Sequence, residues 1–79
     1  MKVELFGVLR EAVGGAEVDL DLAGPAPIAE VLDALVSDYP GLAEHLPRVA
    51  CAVGDDMRSR SDVIEPAETL VLLPPVSGG

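Results

Sequence analysis

The chain has 79 residues, 49% of them hydrophobic, a length that fits one domain and a composition that excludes disorder. Fourteen acidic and five basic residues leave a net charge of -9, which excludes a phosphate-tracking surface and with it nucleic-acid binding. The single cysteine, Cys51, excludes an internal disulfide and fits a reducing cytoplasm; no apolar run approaches the roughly 20 residues of a membrane helix.

Val3 and Leu5 alternate with Lys2 and Glu4, a strand signal, and the carboxylate of Glu4 falls where a secretory leader needs an apolar run. Gly7 ends that strand, and Val8 to Val13 suit one or two helical turns before Gly14-Gly15. Glu17, Asp19 and Asp21 then alternate with Val18, Leu20 and Leu22, predicting a half-buried strand whose acidic face resists edge pairing. After Gly24-Pro25-Ala26-Pro27, the residues Ile28, Val31, Leu32, Leu35, Val36 and Tyr39 form one helical stripe. Pro27 suits the first helical position and Pro40-Gly41 the stop, but no Ser, Thr or Asp caps the start, so fraying is expected there. Leu42 to Leu46 fits a further turn. Val49, Cys51 and Val53 mark a third strand, Gly54-Asp55-Asp56 a turn, and Met57-Arg58 a short pairing beyond it. Ser59 to Asp62 reads as polar loop. Thr69 to Leu73 is the last strand, its apolar run suited to the centre of a sheet.

The order β-β-α-β-β leaves one helix to cover one face of a mixed sheet, with the first and last strands parallel and central. This is the β-grasp (ubiquitin-like) layout, an α+β fold spanning residues 1–73. By strand parity Phe6 lies on the face away from Val3 and Leu5, and Leu73 on the face away from Leu70 and Leu72. The two then meet on the uncovered face where the chain leaves the sheet, an apolar patch fit for docking. The alternative folds Phe6 under the loop that follows it.

Residues 74–79, Pro74-Pro75-Val76-Ser77-Gly78-Gly79, form an expected flexible tail. The prolines stiffen its exit, six extended residues reach roughly 20 Å, and glycines fit a channel too narrow for a side chain. A terminal carboxylate, with a pKa of about 3.3–3.7, is an anion at neutral pH and a poor electrophile. Chemistry at Gly79 therefore requires activation, as an acyl-adenylate made with ATP, after which a sulfur nucleophile displaces AMP. The product is a thioester for conjugation or a thiocarboxylate that donates sulfur. No Walker-type sequence is present, so ATP belongs to a partner enzyme and the chain binds no cofactor itself. Cys51 reads as a core residue. His45, the only histidine, has no second ligand at metal spacing, so no metal site is expected, and Asp55-Asp56 reads as turn chemistry.

The ending Leu72-Leu73-Pro74-Pro75-Val76-Ser77-Gly78-Gly79 resembles that of the molybdopterin synthase small subunits, a ubiquitin-like sulfur-carrier family. Val3 to Phe6, Arg10-Glu11 and Ala52-Val53 match it too. The resemblance implies that Gly79 is adenylated and converted to a thiocarboxylate by an adenylating and sulfurtransferase enzyme. It further implies that Pro74, Pro75, Val76, Ser77 and Gly78 insert into a large subunit, where sulfur passes to cyclic pyranopterin monophosphate to make molybdopterin. Two carriers would flank a dimer of large subunits, which hold the catalytic lysines; the carrier alone is no enzyme. The family's apolar contact positions fall on Phe6, Met57 and Leu73. Two departures stand out: Leu72-Leu73 where the family often has aromatic residues, and Gly54 where it often has Asn. Sulfur carriers for thiamine, cysteine or tRNA thiolation, a protein modifier linked through Gly79 to lysines, and a plain binding module remain the alternatives.

Overall fold

The computed structural model describes residues 1–75. Strand β1 (Lys2–Leu5) is followed by helix α1 (Val8–Val13) and strand β2 (Glu17–Asp19). A two-residue strand β3 (Ala26–Pro27) leads into the main helix α2 (Ile28–Asp38). Two 3₁₀ turns, Pro40–Leu42 and Leu46–Arg48, precede β4 (Ala50–Val53), β5 (Asp56–Arg58), β6 (Val63–Ile64) and β7 (Thr69–Leu73). The main sheet runs in the order β2-β1-β7-β4-β5, with β1 and β7 parallel and the other neighbours antiparallel. The β-grasp arrangement expected from the apolar pattern is thus the one observed, with β7 at its centre.

Alternation decides which face is covered. Val3 and Leu5 of β1, Leu70 and Leu72 of β7 and Cys51 of β4 are buried together with Ile28, Val31, Leu32 and Leu35 of α2. The helix stripe and one sheet face therefore form a single aliphatic core, closed at one end by Leu42 and Leu46 from the 3₁₀ turns. No polar or charged residue is buried among the described residues.

Three expectations need correction. Pro27 precedes the helix rather than opening it: its extended backbone (φ -61, ψ 144) pairs with Val63 in a small β3–β6 ladder. The start of α2 is not left open either. The N–H groups of Ile28 and Ala29 donate to the carbonyls of Asp62 and Arg60, both at 2.9 Å, so distant backbone supplies the acceptors that a capping side chain would have given. Strand β2 stops at Asp19, although Leu20 still exchanges backbone hydrogen bonds with Met1 at 2.8 and 2.6 Å.

The Ser59 to Asp62 loop is itself held. Ser59 N–H donates to the Asp62 carboxylate at 2.8 Å, and the Arg60 guanidinium donates to the carbonyls of Leu46 and, at 3.1 Å, Val49. Among the described residues no helix is long and apolar enough to cross a membrane.

Candidate functional site

The uncovered face of the sheet divides into an acidic half and an apolar half. One row of paired positions crosses all five strands: Glu17 on β2, Glu4 on β1, Val71 on β7, Ala52 on β4 and Met57 on β5. Its first two members are carboxylates and its last three are apolar. Lys2 and Asp19 pair beside the acidic end, and the Lys2 ammonium lies 3.8 Å from the Glu17 carboxylate. At the other end Ala50 pairs with Leu73, one step nearer to where the chain leaves β7.

Of the three apolar positions singled out from the sequence, Met57 is 63% exposed, Phe6 38% exposed and Leu73 half-buried. Phe6 does not fold beneath the following loop. The parallel register ends at the pair Leu5 and Leu72, and Phe6 and Leu73 are the residues that follow each of them in the chain. Met57 reaches the same face across Ala52. The register thus sets Met57 on the same face as Ala52, Val71 and Leu73; strand parity in the sequence speaks only for Phe6 and Leu73, and Met57 comes from the resemblance.

Two residues, Gly7 of the β1–α1 connection and Arg10 of α1, shape this corner. Gly7 has φ +59 and ψ -137, backbone that residues with a side chain avoid, and a Cβ built there would lie 2.9 Å from Pro74 Cγ. Arg10 places its guanidinium carbon 5.1 Å from the centre of the Phe6 ring, and its Nε donates to the Leu5 carbonyl at 2.8 Å. Neither was singled out for a role by the sequence reading. The four-residue spacing of Phe6 and Arg10 across a helix start is the signal that could have found the second.

Pro74 is half-buried and Pro75 exposed at the end of β7. The remaining tail positions, Val76, Ser77, Gly78 and Gly79, lie outside the described residues. The other candidate groups stand apart from this corner. Burial pushes the Cys51 thiol up from its ordinary range, opposed by the positive charge of Arg60. His45 Nε2 lies 3.5 Å from the exposed Glu44 carboxylate. Asp55 and Asp56 are exposed beside Gly54, whose φ is +61. No group of three or more His, Cys, Asp or Glu able to hold a metal ion occurs among the described residues.

Comparison with known proteins finds likeness to sulfur carriers and to an archaeal modifier protein. The ThiS family model matches residues 3–79. The chain is 30% identical over 79 residues to the molybdopterin synthase sulfur carrier subunit of Arabidopsis thaliana, covering 100% of this chain and 82% of that one. It is 30% identical over 87 residues to small archaeal modifier protein 1 of Haloferax volcanii, covering 100% of both chains. The crystal structure of SAMP1 from Haloferax volcanii superposes with a TM-score of 0.87 at 29% identity, covering 100% of this chain and 98% of that one. By fold and by sequence along nearly its whole length, the chain belongs to the ThiS family of ubiquitin-like sulfur carriers.

Proposed function

We propose that this chain is the sulfur-donor subunit of a molybdopterin synthase, with the carboxylate of Gly79 as its working group. The observation that carries the reading is the corner where Pro74 leaves the central strand beside Phe6 and Leu73. An apolar docking surface there adjoins the root of a Pro-Pro-Val-Ser-Gly-Gly tail. The likeness of the whole chain to 82% of a named molybdopterin synthase carrier supports it.

In this reading residues 1–73 are the body that partners grip and residues 74–79 the arm that enters them. A carboxylate oxygen of Gly79 attacks the α-phosphate of ATP on an adenylating enzyme, and pyrophosphate leaves. A persulfide sulfur then attacks the acyl carbon, and AMP leaves. A thiol reductant cleaves the resulting acyl disulfide and frees the thiocarboxylate. That soft anionic sulfur is handed to cyclic pyranopterin monophosphate inside the large subunit. Two carriers serve a dimer of large subunits, and the groups that bind ATP and catalyse transfer belong to the partners. Phe6, Met57 and Leu73 form the contact with those partners, in the cytoplasm.

A second reading, conjugation of Gly79 to protein lysines, is favoured by the likeness to the archaeal modifier, which spans both chains in full. Reconstitution separates the two. The chain is incubated with the host's adenylating enzyme, ATP, a sulfur donor and the large subunit. Molybdopterin formation that is lost when Gly79 is deleted supports the first reading; covalent lysine adducts without sulfur transfer would replace it with the second. Full sulfur transfer by the Gly79 deletion would sink both.

A further inference from the structure

Phe6 follows Leu5, the last residue of β1, with more than a third of its surface open, where a phenyl ring ordinarily exchanges among staggered rotamers. Here the ring has a neighbour. Arg10 turns back from α1, its Nε donating to the Leu5 carbonyl at 2.8 Å while the guanidinium carbon lies 5.1 Å from the ring centre. The backbone between them is also held: Leu9 N–H donates to the Phe6 carbonyl at 3.2 Å and Arg10 N–H to the Gly7 carbonyl at 3.1 Å. The planar fork of arginine can bond a carbonyl through Nε and still lie against an aromatic ring; the ammonium of lysine cannot do both.

We propose that Arg10 is a positioning residue for the docking patch, one that fixes the Phe6 ring outward in the orientation a partner receives. The inference rests on the docking role given to Phe6 above. Its physical basis is preorganisation: a ring already held in its bound rotamer loses less freedom on association. Arg10 thus acts through Phe6, and its effect disappears when the ring is gone.

The test takes the full chain as the varied substrate of the host's adenylating enzyme, with pyrophosphate release as the readout. Arg10→Ala is expected to raise KM about two- to fivefold with kcat unchanged, the size of an exposed cation–π contact. Arg10→Lys is expected to behave like Arg10→Ala. Phe6→Ala is expected to raise KM about tenfold, as loss of an interface anchor does. The double variant is expected to match Phe6→Ala alone. In NMR spectra of the isolated chain, Arg10→Ala should bring the Phe6 ring into rotamer averaging while the rest of the spectrum persists. Multiplying KM losses in the double variant would mean that Arg10 touches the partner directly and would overturn the proposal. So would an unchanged KM in Arg10→Ala, or full rescue by lysine. A wild-type chain that the enzyme does not accept at all, with its Phe6 ring fixed against Arg10 in solution, would instead overturn the docking reading on which the proposal stands.

Discussion

Gly7 and Pro74 are packed so that a Cβ on the glycine would stand 2.9 Å from Cγ of the proline. The turn after β1 and the segment after β7 thereby meet at the same corner as Phe6 and Leu73. With its φ of +59, Gly7 occupies backbone that a larger residue enters only under strain. Gly7→Ala should cost about 1–3 kcal/mol in urea unfolding. Gly24→Ala is the control, because that glycine has open space around its Cβ direction and no positive φ. It should stay within about 0.5 kcal/mol of wild type. Equal effects at the two sites would contradict the packing described.

The two faces of β7 should respond differently to truncation. Leu72 is fully buried and pairs with both Leu5 and Cys51, whereas Val71 faces outward and is half-buried. Leu72→Ala should destabilise by about 2–5 kcal/mol through lost burial and the cavity left behind. Val71→Ala should cost clearly less in the same denaturation experiment. A reversed order would mean that the strand parity is wrong.

On the patch, stability and binding should separate. Met57 is largely open and more than a third of Phe6 is, so Phe6→Ala and Met57→Ala should each change stability by less than about 1 kcal/mol. Calorimetric titration with the large subunit proposed as its partner should nevertheless show affinity falling about tenfold for Phe6→Ala. Wild-type affinity in both variants would remove the patch from the account.

Cys51 should be a quiet thiol. Burial holds its pKa above the ordinary range, more strongly than the charge of Arg60 lowers it. Thiol reagents should therefore label the native chain far more slowly than the urea-unfolded chain at pH 8. The raised pKa also fixes a sign. Above the unfolded thiol's value, about 8.5, the unfolded state releases its proton first, so folding stability declines as pH rises toward the folded value. Below that window Cys51 adds no pH dependence. Cys51→Ala should remove the decline, whatever its effect on absolute stability.

Much of the fold was legible because its cues are local and repeated. The stripe from Ile28 to Leu35 and the alternations in β1 and β7 each bury the residues that periodicity assigned to the core. From these, the side taken by Phe6 and Leu73 followed. What escaped depends on partners distant in sequence. The acceptors for the first N–H groups of α2 come from Arg60 and Asp62, and β3 pairs with β6 over two residues each, too few for any periodicity to show. Met57 entered the patch only by family resemblance, since its exposure depends on β5 folding back against β4. Arg10 was visible as a residue but not as a contact, because the conformation of Gly7 decides where α1 begins.

The account turns on whether Gly79 carries sulfur. Intact-protein mass spectrometry of the chain, after incubation with its host's adenylating enzyme, ATP and a sulfur donor, addresses this directly. The expected result is replacement of one oxygen by sulfur, mapped by fragmentation to Gly79 and absent when ATP is withheld. An unchanged carboxylate under conditions in which the enzyme activates another carrier would contradict the account.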